Sequence, residues 1–332
     1  MRPRRVWEIG CGGGLLLLPI APQCQYYLGT DLSQAALDLL QQEICRPEMN
    51  LPQVNLECRA AHELGPIEST ERFDVVVLNS VIQYFPDVGY LMTVLTRAVE
   101  ALQPGGAVFV GDVRSLELLE VLNTSVQLYQ APDSLSCDAL WRRVQKKIRE
   151  ESELVVSPQF FIGLPQRLPQ ISRVEINLKR GRVRNELTCF RYDVVLHVGK
   201  PVPLLECEWL SWKDQGLNLD RLQEILGQEQ PDLLGVASVP NSRLHRDDTA
   251  VRILTSENRP ATAGDLRQQV ENESLCALEL EDIWLLEEAL PYRLEIRWSR
   301  EVGACDLLFR KHVPGADTKR EMMVRFPGDA VL

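Results

Sequence analysis

Along the first two hundred residues, short apolar runs of strand length alternate with stretches whose apolar residues recur every three or four positions. Residues 5–9 read as a buried strand ending in Gly10-Cys-Gly-Gly-Gly14, and residues 15–21 as a short helix. Residues 26–31 form a second strand. Ser33 then caps a helix whose apolar face holds Ala36, Leu37, Leu40 and Ile44. Residues 54–58 and 73–78 are the third and fourth strands. Pro86 opens a helix carrying Leu91, Val94, Leu95, Ala98 and Leu102, and a fifth strand covers residues 107–110. This alternation predicts a parallel sheet with helices on both faces. A long helical excursion over residues 116–150 precedes two strands, 173–178 and 188–198, which flank the basic stretch Lys179-Arg-Gly-Arg-Val-Arg184. So short a link makes that last pair antiparallel. The expected fold is a Rossmann-like, doubly wound α/β sheet of seven strands over residues 1–200.

Gly199-Lys-Pro-Val-Pro203 marks a boundary, after which the texture changes. Helical runs at 220–229, 263–273 and 279–290 and strand runs at 293–298 and 306–309 predict a smaller α+β appendage over residues 201–311. The polar, Gly/Pro-rich residues 312–332 are expected to be a disordered tail.

Charge sharpens this division. The net charge of −11 is uneven, with 15 Lys+Arg against 24 Asp+Glu after residue 200 and 21 against 23 before it. An acidic chain does not hold nucleic acid by bulk charge, and the most apolar short run, residues 15–20, is too short to span a bilayer. Nine scattered cysteines, Cys276 among them, form no Cys-x-x-Cys pair and no zinc spacing, so no metal site is expected. They read as free thiols of a cytoplasmic protein.

The chemistry concentrates at the first strand-to-helix turn. Glycines at positions 10, 12 and 14 let the backbone turn tightly and let a ligand approach main-chain N–H groups. Asp31, closing the next strand, stands where a carboxylate can accept both ribose hydroxyls of a nucleoside. A dinucleotide fingerprint needs glycine at position 15, which is Leu15, and Glu8 beside the loop would repel a pyrophosphate. Both features favour the sulfonium zwitterion S-adenosylmethionine over NAD(P), which leaves a dehydrogenase as the alternative. Asn79 and Ser80 end the fourth strand at the rim where such sheets bind ligands, and Tyr84 either walls the transferring methyl or packs at the helix start. Asp112 and Arg114 end the fifth strand at the same rim, as an ion pair or a substrate contact.

Val6-Trp-Glu-Ile-Gly-Cys-Gly-Gly-Gly14, Gly29-Thr-Asp-Leu-Ser33, Asn79-Ser-Val-Ile-Gln-Tyr-Phe-Pro86, residues 104–114 and the segment from Asn185 to Asp193 resemble the methyltransferase domains embedded in nonribosomal peptide synthetases and hybrid polyketide synthases. The similarity runs through Glu208-Trp209 and Val239–Arg243 to about residue 311. It implies a class I, S-adenosylmethionine-dependent enzyme that methylates an amino or hydroxyl group on a carrier-bound intermediate. The cofactor would be held by Glu8, Gly10, Cys11, Gly12, Gly14, Asp31, Leu32, Asn79 and Ser80, with His62 and Glu63 in the slots where relatives place an acidic pair beside adenine. Relatives also carry helices ahead of the first strand. The resemblance therefore implies a fragment of a longer synthetase or a misassigned start, and a non-catalytic scaffold piece is a further alternative.

Methyl transfer to a hydroxyl needs a positioned base, whereas an amine needs only to be neutral. Among the base candidates, Glu186 at the start of the last strand is the leading one, set against its pairing with neighbouring arginines. His197, inside that strand, reads as a packed histidine. The scarcity of bases favours N-methylation, with O-methylation as the alternative. Lys179, Arg180, Arg182 and Arg184 could dock an acidic carrier protein or form a solvated hairpin tip.

Overall fold

The computed structural model describes residues 3–63, 71–273, 277–312 and 322–329; Cys276 lies outside them. In chain order the first half comprises β1 (Arg5–Ile9), α1 (Leu17–Ile20), β2 (Tyr26–Asp31), α2 (Gln34–Ile44), β3 (Val54–Cys58), β4 (Phe73–Asn79), α3 (Val88–Ala101) and β5 (Leu102–Arg114). The helical excursion follows as α4 (Leu119–Gln130) and α5 (Cys137–Arg149), and two short helices that the sequence reading did not include come after it, α6 (Pro158–Ile162) and α7 (Leu164–Arg167). Then come β6 (Ile171–Leu178), α8 (Glu186–Phe190) and β7 (Arg191–Val198).

These strands form one seven-stranded sheet in the order β3-β2-β1-β4-β5-β7-β6. Five are parallel, and β7 runs antiparallel to both β5 and β6. This is the expected fold, with one local change. Residues 188–190, read as the start of the last strand, instead belong to the helical turn α8, because Asn185 caps it by accepting from the Thr188 N–H. Ser33, Asp87 and Ser136 cap α2, α3 and α5 in the same way.

The second half comprises β8 (Leu204–Leu205), β9 (Trp209–Ser211), α9 (Leu219–Glu224), β10 (Leu233–Pro240), α10 (Ser242–Thr255), α11 (Ala263–Asn272), α12 (Leu280–Ala289), β11 (Tyr292–Trp298), β12 (Ala304–Lys311) and β13 (Met323–Val324). A four-stranded sheet, β11-β12-β10-β9, is its centre. β10 and α10 are additions to the sequence reading. Leu233–Pro240 carries too much glycine and alanine to stand out as a strand, and the apolar positions of α10 are interrupted by buried Arg243 and Thr249.

The expected disordered tail is corrected for residues 322–329. β13 pairs with β8, and Val324 and Phe326 bury themselves against Trp209 and Leu308. Apolar contact supplies what the composition hid. The two sheets share one hydrophobic core, which runs from Val76, Val108 and Leu196 to Leu222, Leu307 and Phe309, and β11 lies against β6. No helix among the described residues is long and apolar enough to cross a membrane.

Candidate active site

The carboxyl ends of β1, β2 and β4 surround a cavity of about 490 Å³. Gly10, Asp31, Leu32, Ser80 and Tyr84 line it, together with Arg59, Ala61, Phe85 and Tyr90. The glycines have separate tasks. All three even-numbered ones have positive φ, +77° at Gly10, +48° at Gly12 and +83° at Gly14. A Cβ on Gly10 would lie 2.6 Å from Val81 Cγ2, and one on Gly14 2.5 Å from Leu40 Cδ1. Those two let β4 and α2 approach the loop. At Gly12 a Cβ would meet nothing within 4 Å, so this glycine leaves open backbone for a ligand to approach.

Asp31 is fixed by its neighbours. Its Oδ2 accepts the Gly12 N–H at 2.9 Å and its Oδ1 the Ser33 N–H at 2.8 Å. Each oxygen keeps a second acceptor site for a ribose hydroxyl. Leu32 is left 74% exposed at the mouth, opposite the T-shaped pair Phe85 and Tyr90 at 4.9 Å. Tyr84 is 72% exposed, so it does not serve the packing role that the sequence left open.

Other expected residues sit differently. Glu8 is buried and does not line the cavity. The Tyr27 hydroxyl donates to its Oε2 at 2.7 Å, and burial pushes its carboxyl up to about 7, offset in part by that bond. Cys11 packs into the core against Gly29, and burial pushes its thiol up to about 12, so only its backbone belongs to the loop. His62 is exposed and does not line the cavity, but it shares a 2.9 Å hydrogen bond with the hydroxyl of the lining residue Tyr90. The Glu63 carboxylate folds back to accept the Ala60 N–H at 2.9 Å. Asn79 leans over β5, where a Cβ on Gly111 would lie 2.1 Å from its Oδ1.

At the rim of β5, the Asp112–Arg114 pair does not form. Arg114 instead bridges Glu151 at 3.0 Å and Glu153 at 3.1 Å. Lys179 Nζ lies 2.5 Å from both Asp112 Oδ1 and Asp193 Oδ1, and Ser80 Oγ donates to Asp112 Oδ2. Glu186 is withdrawn from the cavity. Arg191 Nη2 donates to it at 2.6 Å and Arg114 stands 3.9 Å away, the pairing set against its role as a base.

The basic stretch is also engaged within the chain. Arg180 binds Glu281, Arg182 binds Asp282 at 2.8 Å and Lys179 is half-buried between its two aspartates, while Arg184 is exposed. Charge pairing across a hairpin and a distant helix leaves no trace in local sequence. The aromatic pair could have been found, since Phe85 and Tyr90 flank a helix start beside the strand-end polar residues.

A family model described as a methyltransferase domain matches residues 7–108. The chain is 40% identical over 305 residues to chondramide synthase cmdD of Chondromyces crocatus, covering 90% of this chain and 8% of that protein. It is 29% identical over 343 residues to the nonribosomal peptide synthetase asqK of Emericella nidulans, covering 99% of this chain and 13% of that one. It thus spans a small part of the curated relatives it matches. The N-methyltransferase NodS of Bradyrhizobium japonicum WM9 overlays on 60% of this chain and 87% of its own, with TM-score 0.41 and 16% identity. The donor set fits S-adenosylmethionine, the cofactor of the matched domain: Asp31 lines the cavity with its oxygens braced, and Gly12 beside it has open backbone; the dinucleotide alternative is set aside. The chain carries an S-adenosylmethionine-dependent methyltransferase domain, and over most of its length it is similar to a part of nonribosomal peptide synthetases.

Proposed function

We propose that the chain methylates an amino group of an aminoacyl or peptidyl intermediate tethered to a carrier protein of a larger synthetase. The observation that carries this reading is the lack of a base among the described residues of the cavity. No histidine lines it. His197 bonds Glu175, and His245 bonds Thr249 in α10. Asp31 is braced by two main-chain N–H groups at the ribose end. Burial alone would raise the Asp112 carboxyl, but hydrogen bonds from Lys179 and Ser80, and the charge of Lys179, hold it below the usual carboxylate range. Such a group cannot activate a hydroxyl, whereas an amine reacts from its neutral fraction unaided.

S-adenosylmethionine supplies a methyl group on a positively charged sulfur. Gly12 would offer backbone to its amino-acid end, Asp31 would accept from its ribose, and Leu32, Phe85 and Tyr90 would hold its adenine. Tyr84 stands at the mouth, where the nucleophile enters. In the transfer the amine lone pair would form the new N–C bond, the C–S pair would stay with sulfur, and the surplus proton would leave to solvent. The protein's contribution is alignment.

Docking of the carrier is not assigned to Lys179–Arg184, whose first two arginines and lysine already hold acidic partners. The test is incubation with S-adenosylmethionine and an aminoacyl carrier protein, followed by fragment mass spectrometry. A methyl on nitrogen supports the reading. A methyl on oxygen overturns it in favour of O-methylation, and no transfer despite cofactor binding overturns it altogether.

A further inference from the structure

Two of the non-glycine residues with left-handed backbone, Ser80 at φ 54° and Asp112 at φ 62°, lie side by side at the ends of β4 and β5. L residues avoid this region, and it recurs where a site over-determines its backbone. Here the bracing is visible. The Ser80 N–H donates to the Gly111 carbonyl at 3.1 Å, and the Asp112 N–H donates to Asp193 Oδ1 at 2.9 Å. The twisted backbone turns the Ser80 hydroxyl onto Asp112 Oδ2 while Ser80 still lines the cavity. The hydroxyl hydrogen is therefore committed to Asp112, one lone pair of Ser80 Oγ accepts from Asn79 Nδ2 at 3.3 Å, and the lone pair that remains can only accept.

Behind this pair stands Lys179, half-enclosed between Asp112 and Asp193. One cation against two carboxylates leaves the cluster one negative charge, which suits an amine or ammonium group rather than an anion. Lys179 is in turn placed by the appendage. Arg243 of α10 is buried, and its Nη1 donates to the Lys179 carbonyl at 2.5 Å and its Nη2 to the Gly181 carbonyl at 2.8 Å.

We infer that Ser80 is the group that accepts an N–H of the amine nucleophile and aims its lone pair, and that Asp112, Lys179 and Asp193 are positioning residues that fix the direction of the Ser80 hydroxyl. The inference rests on the N-methylation reading and deepens it. It gives the appendage a part in catalysis without substrate contact, through Arg243 and Lys179. The bland alternative, a cluster that only ties β5 to the β6–β7 loop, predicts unfolding rather than a selective loss of turnover.

The test uses the full chain with an aminoacyl carrier protein, comparing Ser80→Gly, Asp112→Asn, Lys179→Met and Lys179→Arg. Gly and Asn both accept positive φ, so the first two changes remove chemistry without adding backbone strain. Ser80→Gly, Asp112→Asn and Lys179→Met should each lower kcat by roughly 10- to 100-fold, the scale of a misplaced reactant. S-adenosylmethionine affinity by titration should stay at the parent's value, and Lys179→Arg should recover most of the turnover. Parental kcat in Ser80→Gly overturns the inference. Loss of cofactor affinity in place of kcat also overturns it, by making Ser80 a cofactor contact. If the parent itself fails to methylate the amine, the functional reading falls first, and that result is read before any variant.

Discussion

The Arg243 guanidinium reaches from α10 into the loop between β6 and β7 and donates to the carbonyl of Gly181 at 2.8 Å. It also binds Glu279 at 3.2 Å while only 2% of its side chain is exposed. A cation that saturates the carbonyls of one unit and the carboxylates of another makes the two interdependent.

Replacing Arg243 with Met would keep much of the volume and leave Glu279 and several carbonyls short of a donor. The expected cost is about 3–5 kcal/mol, the range for removing one partner of a buried pair. Urea unfolding of parent and variant measures it. Arg243→Lys should recover little, because an ammonium cannot span the same carbonyls as a planar fork. Equal midpoints for parent and Met variant would refute the clamp.

Glu8 makes stability fall with pH. Its carboxyl is raised from 4.5 to about 7, first by burial, with the Tyr27 bond opposing and Asp31 adding. The folded state thus binds more proton than the unfolded one between those values. The full stability below pH 4.5 is lost progressively as pH rises to about 7, by up to roughly 3 kcal/mol. Glu8→Gln keeps the acceptor for Tyr27 and removes the ionisation. Its stability relative to the parent should therefore grow from pH 4.5 to pH 8 in paired urea titrations. A constant difference across that range would sink the assignment.

The glycines should separate binding from folding. Gly12→Ala has room but positive φ, so the expected cost is about 1–2 kcal/mol with a marked loss of S-adenosylmethionine affinity. Gly14→Ala carries similar backbone strain and adds a contact at 2.5 Å with Leu40, so it should be the less stable of the two. Thermal melts together with calorimetric titration would check both halves. The reverse order would contradict the division of tasks.

Tyr84, being exposed, should be dispensable for folding. Tyr84→Ala is expected to change stability by no more than about 0.5 kcal/mol, while kcat/KM falls about tenfold, equal to about 1.4 kcal/mol of transition-state stabilisation. A destabilised variant with unaltered kcat/KM would return Tyr84 to a packing role.

Much of the catalytic sheet was legible because its determinants are local. The apolar runs of β1, β2 and β4 are bounded by turn glycines and caps, and Asp31 follows the loop at a spacing set by one helix and one strand. One miss was local: the Asn185 cap that makes α8 was overlooked beside a strand-like run. The other misses are what long-range contact decides, as where residues 322–329 fold because Phe326 meets Trp209 at 5.0 Å. Lys179 reads as a docking cation until the sheet brings Asp193 from the paired strand and Asp112, distant in sequence, against its ammonium.

The uneven charge and the Gly10–Gly14 cluster were determined by sequence alone, as were the strand-helix alternation and the position of Asp31. Propensity, periodicity and capping act within a few residues and survive in a linear reading. Tertiary structure decided which way each carboxylate points. It sent Glu8 into the core against Tyr27, Glu186 to Arg191, and Asp112 to Ser80 and Lys179. A charge finds its lowest free energy in the partner that folding delivers, and that partner is set by strand order rather than by neighbours in the chain.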